Sequence, residues 1–330
     1  MSMNRIWRAA LAALSLVAGA GAAMAQDFPV RGRPLMFMTA FPAGTAMDIY
    51  GRLIQERVQQ ELGVPMVIDI RSGASGNIGM EAAARAAPDG HSVLIATSAM
   101  LAINPAVLPA MPVNTQADFI PLMTLFEAPN FMTVSTEKRP NFTTCGAVVE
   151  AARAAPGRLN YASTGIGAST HLAGAQFAAV QGIDLLHVPY RGGPFAMTAL
   201  LQGDVDVFFY QTGPVIEMYR QGRVRLLGVT SSSRIPAVPE VPTIAEACNM
   251  PGFESTTWYG LVVPARTPAP IVARLADVFG RIAREPAIEA KVIEWGFAPS
   301  VADGETMRRR LAEDLPRWRA VVERVGARVN

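Results

Sequence analysis

Between residues 35 and 263 the chain alternates short apolar runs of strand type with longer runs of helical period, and this alternation restricts it to α/β layers with parallel strands. Strands are expected at 35–39, 64–70 and 92–97, separated by helices at 46–62 and 77–87 and by a Pro88-Asp89-Gly90 turn. A second series opens with the strand 131–135. It continues with strands at 159–162, 184–188, 205–209 and 224–230 and helices at 144–155, 169–181, 194–201 and 214–221. The Ser- and Pro-rich stretch 231–242 reads as a surface loop, 258–263 as a strand, and 268–284, 286–295 and 304–324 as helices. Those last helices have no strands of their own, so they are expected to cover the first sheet. The chain then crosses between two units twice, near 125–130 and near 253–258, which limits their motion to opening and closing about one axis. The units are 26–126 with 256–330, and 127–255.

Residues 1–25 read as an export signal, with Arg5 and Arg8 before an apolar run at 9–22 and Ala23-Met24-Ala25 as a small-x-small site cleaved after Ala25. The run is shorter than the roughly 20 residues that cross a bilayer. No Cys stands at the cleavage point, which argues against a lipoprotein, and no second long apolar run follows, so a soluble product is expected. Lys+Arg (29) exceed Asp+Glu (27) by two, and those two are Arg5 and Arg8, so the processed chain is formally neutral. That speaks against nucleic acid and against a polybasic membrane surface. A chain of 330 residues exceeds what one core usually organises, hence two domains. Cys145 and Cys248 leave two states open, a disulfide or two buried thiols. The three histidines, His91, His171 and His187, form no metal-ligand spacing; no metal and no cofactor are expected.

A strand, a glycine-bearing turn and a helix start occur in succession twice, at 40–48 and at 161–171. Each helix start presents unpaired N–H groups and the positive end of its dipole, a way to hold an anion without a charged side chain. In the first turn Thr45 and Asp48 fit a capping box. Phe41, Pro42, Gly44 and Thr45 are at the same time placed to line a cleft. In the second, Gly165 and Gly167 admit close approach of a ligand to Ser163, Thr164 and Ala168, and Ser169 is expected as N-cap. Leu172, three residues on, cannot complete a box, so the first N–H groups stay available. The near-match to G-x-G-x-x-G fails at Thr170 and has no acidic ribose partner. Ser169 and His171 point apart on a helix turn and no G-x-S-x-G elbow exists, so no catalytic residue is assigned; His171 reads as a structural or helix-end histidine. Arg191 follows a strand at a carboxyl edge, where it either meets a ligand carboxylate or bridges to a surface acid. Thr97 and Ser98 end a strand of the first unit, and Ser75 with Asn77 sits on a third glycine-rich loop at 71–79.

The ordered set Phe41-Pro42-x-Gly44-x-x-x-Asp48, Gly73-Ala74-Ser75-Gly76-Asn77-Ile78-Gly79, Ala86-Ala87-Pro88-Asp89-Gly90, Ile103-Asn104-Pro105, Leu159-Asn160-Tyr161-Ala162-Ser163-x-Gly165-x-Gly167, His187-Val188-Pro189-Tyr190-Arg191-Gly192 and Trp258-Tyr259-Gly260 resembles the Bug, or tripartite tricarboxylate transporter, family of periplasmic solute-binding proteins. The resemblance implies a two-lobed α/β Venus flytrap of the periplasmic binding protein type II class, each lobe a mostly parallel sheet flanked by helices. It implies a monomeric periplasmic receptor, not an enzyme, that captures a small carboxylate between the lobes and delivers it to the membrane subunits of a tripartite transporter. Carried over by position, the ligand-binding set is Phe41, Pro42, Gly44 and Asp48 facing Ser163, Gly165, Gly167 and His171. The rim positions Thr45, Ser75, Thr97, Ser98, Thr164, Ala168, Ser169, Thr170, Arg191 and Tyr210 join it. Two departures from the family pattern, Met47 in the first turn and Tyr210-Gln211 after a strand of the second lobe, lead us to expect a larger or more apolar carboxylate. A sensor that signals to a membrane partner is the alternative; a hydrolase requires Ser163 or Ser169 within reach of His171.

Overall fold

The direction of each strand follows from how the chain passes between two sheets. The computed structural model describes residues 28–108, 110–211 and 213–325; the expected export signal and its cleavage point lie outside them. In the first sheet β1 (Leu35–Thr39) pairs in parallel with β2 (Met66–Ile70) and β3 (Ser92–Thr97). Helices α1 (Ala46–Leu62) and α2 (Asn77–Ala84) connect them, and a π-helical turn (Ala99–Ile103) leads into the short α3 (Asn104–Val107). The long β4 (Phe119–Pro129) then runs into β5 (Phe131–Ser135) of the second sheet. That sheet also contains β6 (Asn160–Ser163), β7 (Leu186–Pro189), β8 (Val207–Tyr210) and β9 (Val224–Val229) in the order β7-β6-β8-β5-β9. Its helices are α4 (Cys145–Ala154), α5 (Ser169–Gln181), α6 (Gly193–Gln202), α7 (Gly213–Arg220) and α8 (Ile244–Ala247). The chain returns to the first sheet as β10 (Thr256–Pro264) and ends in α9 (Ala269–Ala283), α10 (Pro286–Glu294), the two-residue β11 (Ala298–Pro299) and α11 (Gly304–Val325).

Both sheets are mixed, which corrects the expectation of mostly parallel ones. β10 runs antiparallel to β3 and β4, and β5 runs antiparallel to β8 and β9. The reason is the double crossing. A strand arriving from the other lobe enters through the edge at which the parallel strands finish, and so it runs against them. The carboxyl ends of β1–β3 and of β6–β8 therefore face the seam between the lobes.

Local chemistry explains the elements. β1 reads Leu-Met-Phe-Met-Thr and is buried on both faces, as an inner strand of a covered sheet must be. Along α1, Met47, Tyr50, Ile54, Val58 and Leu62 recur at helical spacing and enter the core, and Gly63, at φ 69°, closes the helix by donating its N–H to the Gln59 carbonyl. The closing helices cover the first sheet as expected: Leu275, Phe279, Ile288, Met307 and Trp318 lie in its core. Strand β11, pairing with β4 between them, was not anticipated. Nor was the full length of β4, whose Pro121 argues against an inner strand. The register between β4 and β10 slips twice, and one slip falls beside Pro121, where a residue without an N–H costs no ladder bond.

The two crossings are bonded to each other. Asn130 donates its N–H to Thr230 Oγ1 (2.8 Å), and Thr230 N–H donates to the Asn130 carbonyl (2.8 Å). Thr230 Oγ1 in turn donates to the Ser255 carbonyl (2.8 Å). Asn130, Thr230 and Ser255 are all buried, so water does not compete for these bonds.

Cys145, the first residue of α4, and Cys248, which follows α8, form a disulfide with Cα atoms 5.5 Å apart, settling the alternative left open by the sequence. The closed loop spans a sequence separation of 103 and includes all of β6–β9. Reduction, or the double substitution C145A/C248A, is expected to lower unfolding free energy by about 3–5 kcal/mol, since the unfolded chain regains that loop's entropy. Urea unfolding with and without reductant measures it; coincident curves would show that the bridge adds nothing.

Candidate functional site

Helices α1, α2, α5 and α6 all start at strand ends facing the seam, and α1 and α5 are the two that the sequence singled out. At α1 the expected capping box does not form. Thr45 is the N-cap, but its hydroxyl donates to the Pro42 carbonyl (2.8 Å), and Asp48 Oδ2 accepts the Gly44 N–H (2.8 Å), one residue before the cap. Gly44 sits at φ 81°, which lets the turn double back onto Asp48. Asp48 Oδ1 accepts from Arg52 Nε (2.9 Å). Burial on its own would raise the Asp48 carboxyl, but the Arg52 hydrogen bond, the Gly44 N–H and the Arg52 charge together hold it below the usual carboxylate range. Asp48 is thus a spent group that shapes the turn. The N–H groups of Ala46, Met47 and Asp48 have no partner among the described residues.

The second turn is tied down from within its own helix. Thr170 Oγ1 accepts the Thr164 N–H (2.9 Å), and His171 Nδ1 accepts the Gly167 N–H (3.1 Å). Ser163 Oγ accepts the Gly165 N–H (3.2 Å), and Gly165, at φ 142°, adopts a backbone that only glycine takes readily. These bonds close the loop one residue early, so the N-cap is Ala168 and not Ser169, and Ala168 offers no side-chain cap. The first three helical N–H groups, of Ser169, Thr170 and His171, consequently lack partners among the described residues. The donors available to a ligand are therefore those of the helix starts; the loop amides of Gly44, Thr164, Gly165 and Gly167 are occupied.

Histidine 187 escaped the sequence reading as a site residue. Its ring stacks on His171 (centroids 3.9 Å apart) and on Tyr161 (5.0 Å), and its Nε2 lies 2.7 Å from Ser163 Oγ. Parallel pairing of β6 with β7 puts His187 opposite Tyr161, a register that sequence alone does not disclose. Burial pushes His171 down to about 4, helped by the neighbouring His187, and burial lowers His187 as well. Both rings are neutral at pH 7. Asn104 also went unassigned; its Nδ2 donates to the Ser75 carbonyl (2.9 Å) and to Asn77 Oδ1 (3.2 Å), clamping the third glycine-rich loop.

The remaining expected positions divide. Phe41 and Pro42 lead into the first turn, and Ser75 and Arg191 are exposed, Arg191 without an ion partner among the described residues. Thr97 and Ser98 are buried and serve the fold, since Thr97 Oγ1 accepts the Met100 N–H (3.2 Å) and Ser98 Oγ accepts the Trp258 N–H (3.3 Å). Tyr210 stacks on Phe208 (4.6 Å) on the α6 side of the second sheet. Met47 lies in the first lobe's core at 1% exposure, so its bulk does not enter the turn. Gln211 Nε2 reaches Ser169 Oγ only loosely (3.5 Å), and its Oε1 is buried without a partner.

The lobes touch at this place. A Cβ on Gly167 would meet Val107 Cγ1 at 3.1 Å, Leu172 joins the first lobe's core, and α11 lies against α5. Volume and chemistry do not coincide: a cavity of about 650 Å³ lies between α11 and residues 111–118, and one of about 360 Å³ lies between α6 and α7. Only Tyr210 of the expected site lines either one. Unpartnered donors at helix starts, and neither of these two hollows, define the candidate site.

Comparison with known proteins gives concordant matches. A sequence profile described as a tripartite tricarboxylate transporter family receptor matches residues 50–327. The UPF0065 protein of the tcbD-tcbE intergenic region of Pseudomonas sp. strain P51 is 36% identical over 96% of this chain and 93% of its own length. Among solved structures, Rpa4515 of R. palustris with adipate superposes at a TM-score of 0.81, with 29% identity, covering 91% of this chain and 99% of that one. MatC of Rhodopseudomonas palustris with bound malate superposes at 0.76, with 27% identity, covering 89% and 100%.

Because His171 is held below its ordinary value of 6.5, the folded state binds fewer protons than the unfolded chain between pH 6.5 and about 4. Its contribution to stability is complete above that window and declines as pH falls through it. Nuclear magnetic resonance titration of the His171 ring is expected to give a midpoint near 4, and the urea midpoint to drop from pH 7 to 4.5 less steeply in His171→Gln. A ring titrating at its ordinary 6.5 would contradict this.

Proposed function

The chain belongs to the tripartite tricarboxylate transporter receptor family, and from that premise we propose that the starts of α1 and α5 grip one small organic acid from opposite sides of the seam. As a member it is a periplasmic solute receptor for a transporter of that type. The observation that carries the site is the set of six unpartnered N–H groups, of Ala46, Met47, Asp48, Ser169, Thr170 and His171, on helices that begin at facing sheet edges. A hydrogen bond to a charged group contributes about 1.5–3 kcal/mol, and a helix start about 0.3–1 kcal/mol. Three or four such bonds reach the roughly 8 kcal/mol of a micromolar complex after ordering costs. The Asp48 carboxylate does not repel the ligand because Arg52 already neutralises it. Arg191, exposed beside the start of α6, adds a long-range attraction for anions.

The ligand we propose is an aliphatic dicarboxylate. Two helix starts suit two acidic groups, and two structurally similar receptors hold adipate and malate. The expectation of a larger or more apolar carboxylate loses its footing, because Met47 is in the core and Tyr210 packs on Phe208. The receptor acts as a monomer, processed after Ala25, and closes when ligand bridges the lobes, since only the closed form makes both sets of bonds. No acyl transfer is assigned to it. Ser163 bonds His187 and not His171, and with 0% exposure its hydroxyl is out of reach of a substrate carbonyl.

Proline substitutions at the first helical positions test the site selectively. Ala46→Pro and Ser169→Pro each remove one unpartnered N–H, and both follow residues with extended dihedrals that tolerate a following proline (Thr45 at φ −80°, ψ 165°; Ala168 at φ −65°, ψ 155°). Each variant is expected to unfold near the wild-type midpoint and to bind dicarboxylate roughly 10- to 100-fold more weakly by calorimetry. Wild-type affinity in both variants would remove the helix starts from the site. In a thermal-shift screen, adipate, malate or succinate at 100 times its dissociation constant is expected to raise Tm by about 5 °C. A response only to non-carboxylates would overturn the ligand class.

A further inference from the structure

The groove between α6 and α7 opens on the opposite face of the second sheet from α5. Its volume of about 360 Å³ falls within the range of small-molecule sites. Met197 and Leu201 from α6 and Met218 from α7 line it, and no acidic residue does among the described residues. Thr198 spends its hydroxyl on the Pro194 carbonyl of its own helix (2.9 Å), so it adds little polarity.

Two polar groups line the groove without a partner among the described residues, the Tyr210 hydroxyl and the Arg223 guanidinium. The Tyr210 side chain and the Arg223 backbone are held in place. The Tyr210 ring stacks on Phe208, and its hydroxyl occupies space that a Cβ on Gly193 would enter, only 1.8 Å away; glycine is what admits it. Arg223 is anchored through its backbone: its N–H donates to the Met218 carbonyl (3.0 Å), and its carbonyl accepts from Thr136 Oγ1 (2.9 Å). A single cation beside apolar walls selects an anion with an apolar body, and two thioethers favour an aromatic one.

We propose that this groove is a second ligand site, which takes a compact aromatic monocarboxylate with its carboxylate on Arg223 and its ring between Met197, Leu201 and Met218. None of the residues at the starts of α1 and α5 lines the groove, so the proposal does not depend on what those starts bind.

The probe is benzoate, with benzyl alcohol as its uncharged counterpart, read by the methyl signals of protein labelled at methionine with carbon-13. The Met197 and Met218 methyls are expected to shift saturably with benzoate. Arg223→Gln, on the surface, is expected to weaken benzoate roughly tenfold and to leave benzyl alcohol within about twofold. Thr198→Phe, which fills the groove, is expected to abolish both responses, while circular dichroism verifies that the variants fold. No shift of these methyls up to roughly 10 mM benzoate, or equal affinity in Arg223→Gln, would overturn the proposal. So would shifts that disappear in Ser169→Pro but persist in Arg223→Gln, because benzoate would then be occupying the seam.

Discussion

Hydrogen bonds between Asn130, Thr230 and Ser255 join the two points at which the chain changes sheet, and the rest of the architecture is arranged around that junction. Because each crossing strand enters its new sheet at the seam, the parallel strands of both lobes must finish there, and the helices that follow them must start there. The buried amide Asn130 Oδ1 has no partner, so the junction is not fully satisfied. On the first-lobe side it is braced by α11, where Arg310 pairs with Glu127 of β4 and Asp314 accepts from the Trp258 indole of β10. Relative motion of the lobes therefore has one hydrogen-bonded pivot, and among the described residues no hydrogen bond joins α1 to α5 across the seam.

The chemistry of the seam follows from how the turns satisfy themselves. In both turns a side chain from the first helical turn folds back to take a loop N–H: Asp48 takes that of Gly44, Thr170 that of Thr164, and His171 that of Gly167. This stiffens the loop and leaves the helix's own first N–H groups open. A residue acting as N-cap acceptor would have consumed one of them. Thr45 turns its hydroxyl to Pro42 instead, and Ala168 has none to offer. The neutrality of His171 is part of the same arrangement, because a proton on Nδ1 would face the Gly167 N–H donor to donor.

Much of this was legible in the chain. The bounds of β1, α1, β3 and α5 coincide with the apolar and helical periods, since each of these segments buries a continuous run or a single face. The helix starts were legible from Gly44, Gly165 and Gly167, whose positive φ values the turns require. Side-chain direction was not. Thr45 and Asp48 match the spacing of a capping box, yet a one-residue displacement sends the carboxylate to Gly44. Ser169 is a better N-cap than Ala168 by type, and it lost that position because Thr170 and His171 close the loop before it. Long-range pairings stayed hidden for a different reason: the His187 stack, the Asn104 clamp and the Cys145–Cys248 bridge depend on strand order and crossing geometry, which local periodicity does not encode. Strand β4 was missed because prolines at its bulge and its end imitate a loop.

The central claim is that two helix starts in different lobes serve one ligand. Amide chemical shifts followed as a dicarboxylate is titrated test it most directly. The account predicts that the N–H signals of Ala46–Asp48 and of Ser169–His171 move downfield together with a single midpoint, while those of Gly44 and Gly167, already bonded to Asp48 and His171, move little. Movement confined to one helix start, or two sets with different midpoints, would contradict it.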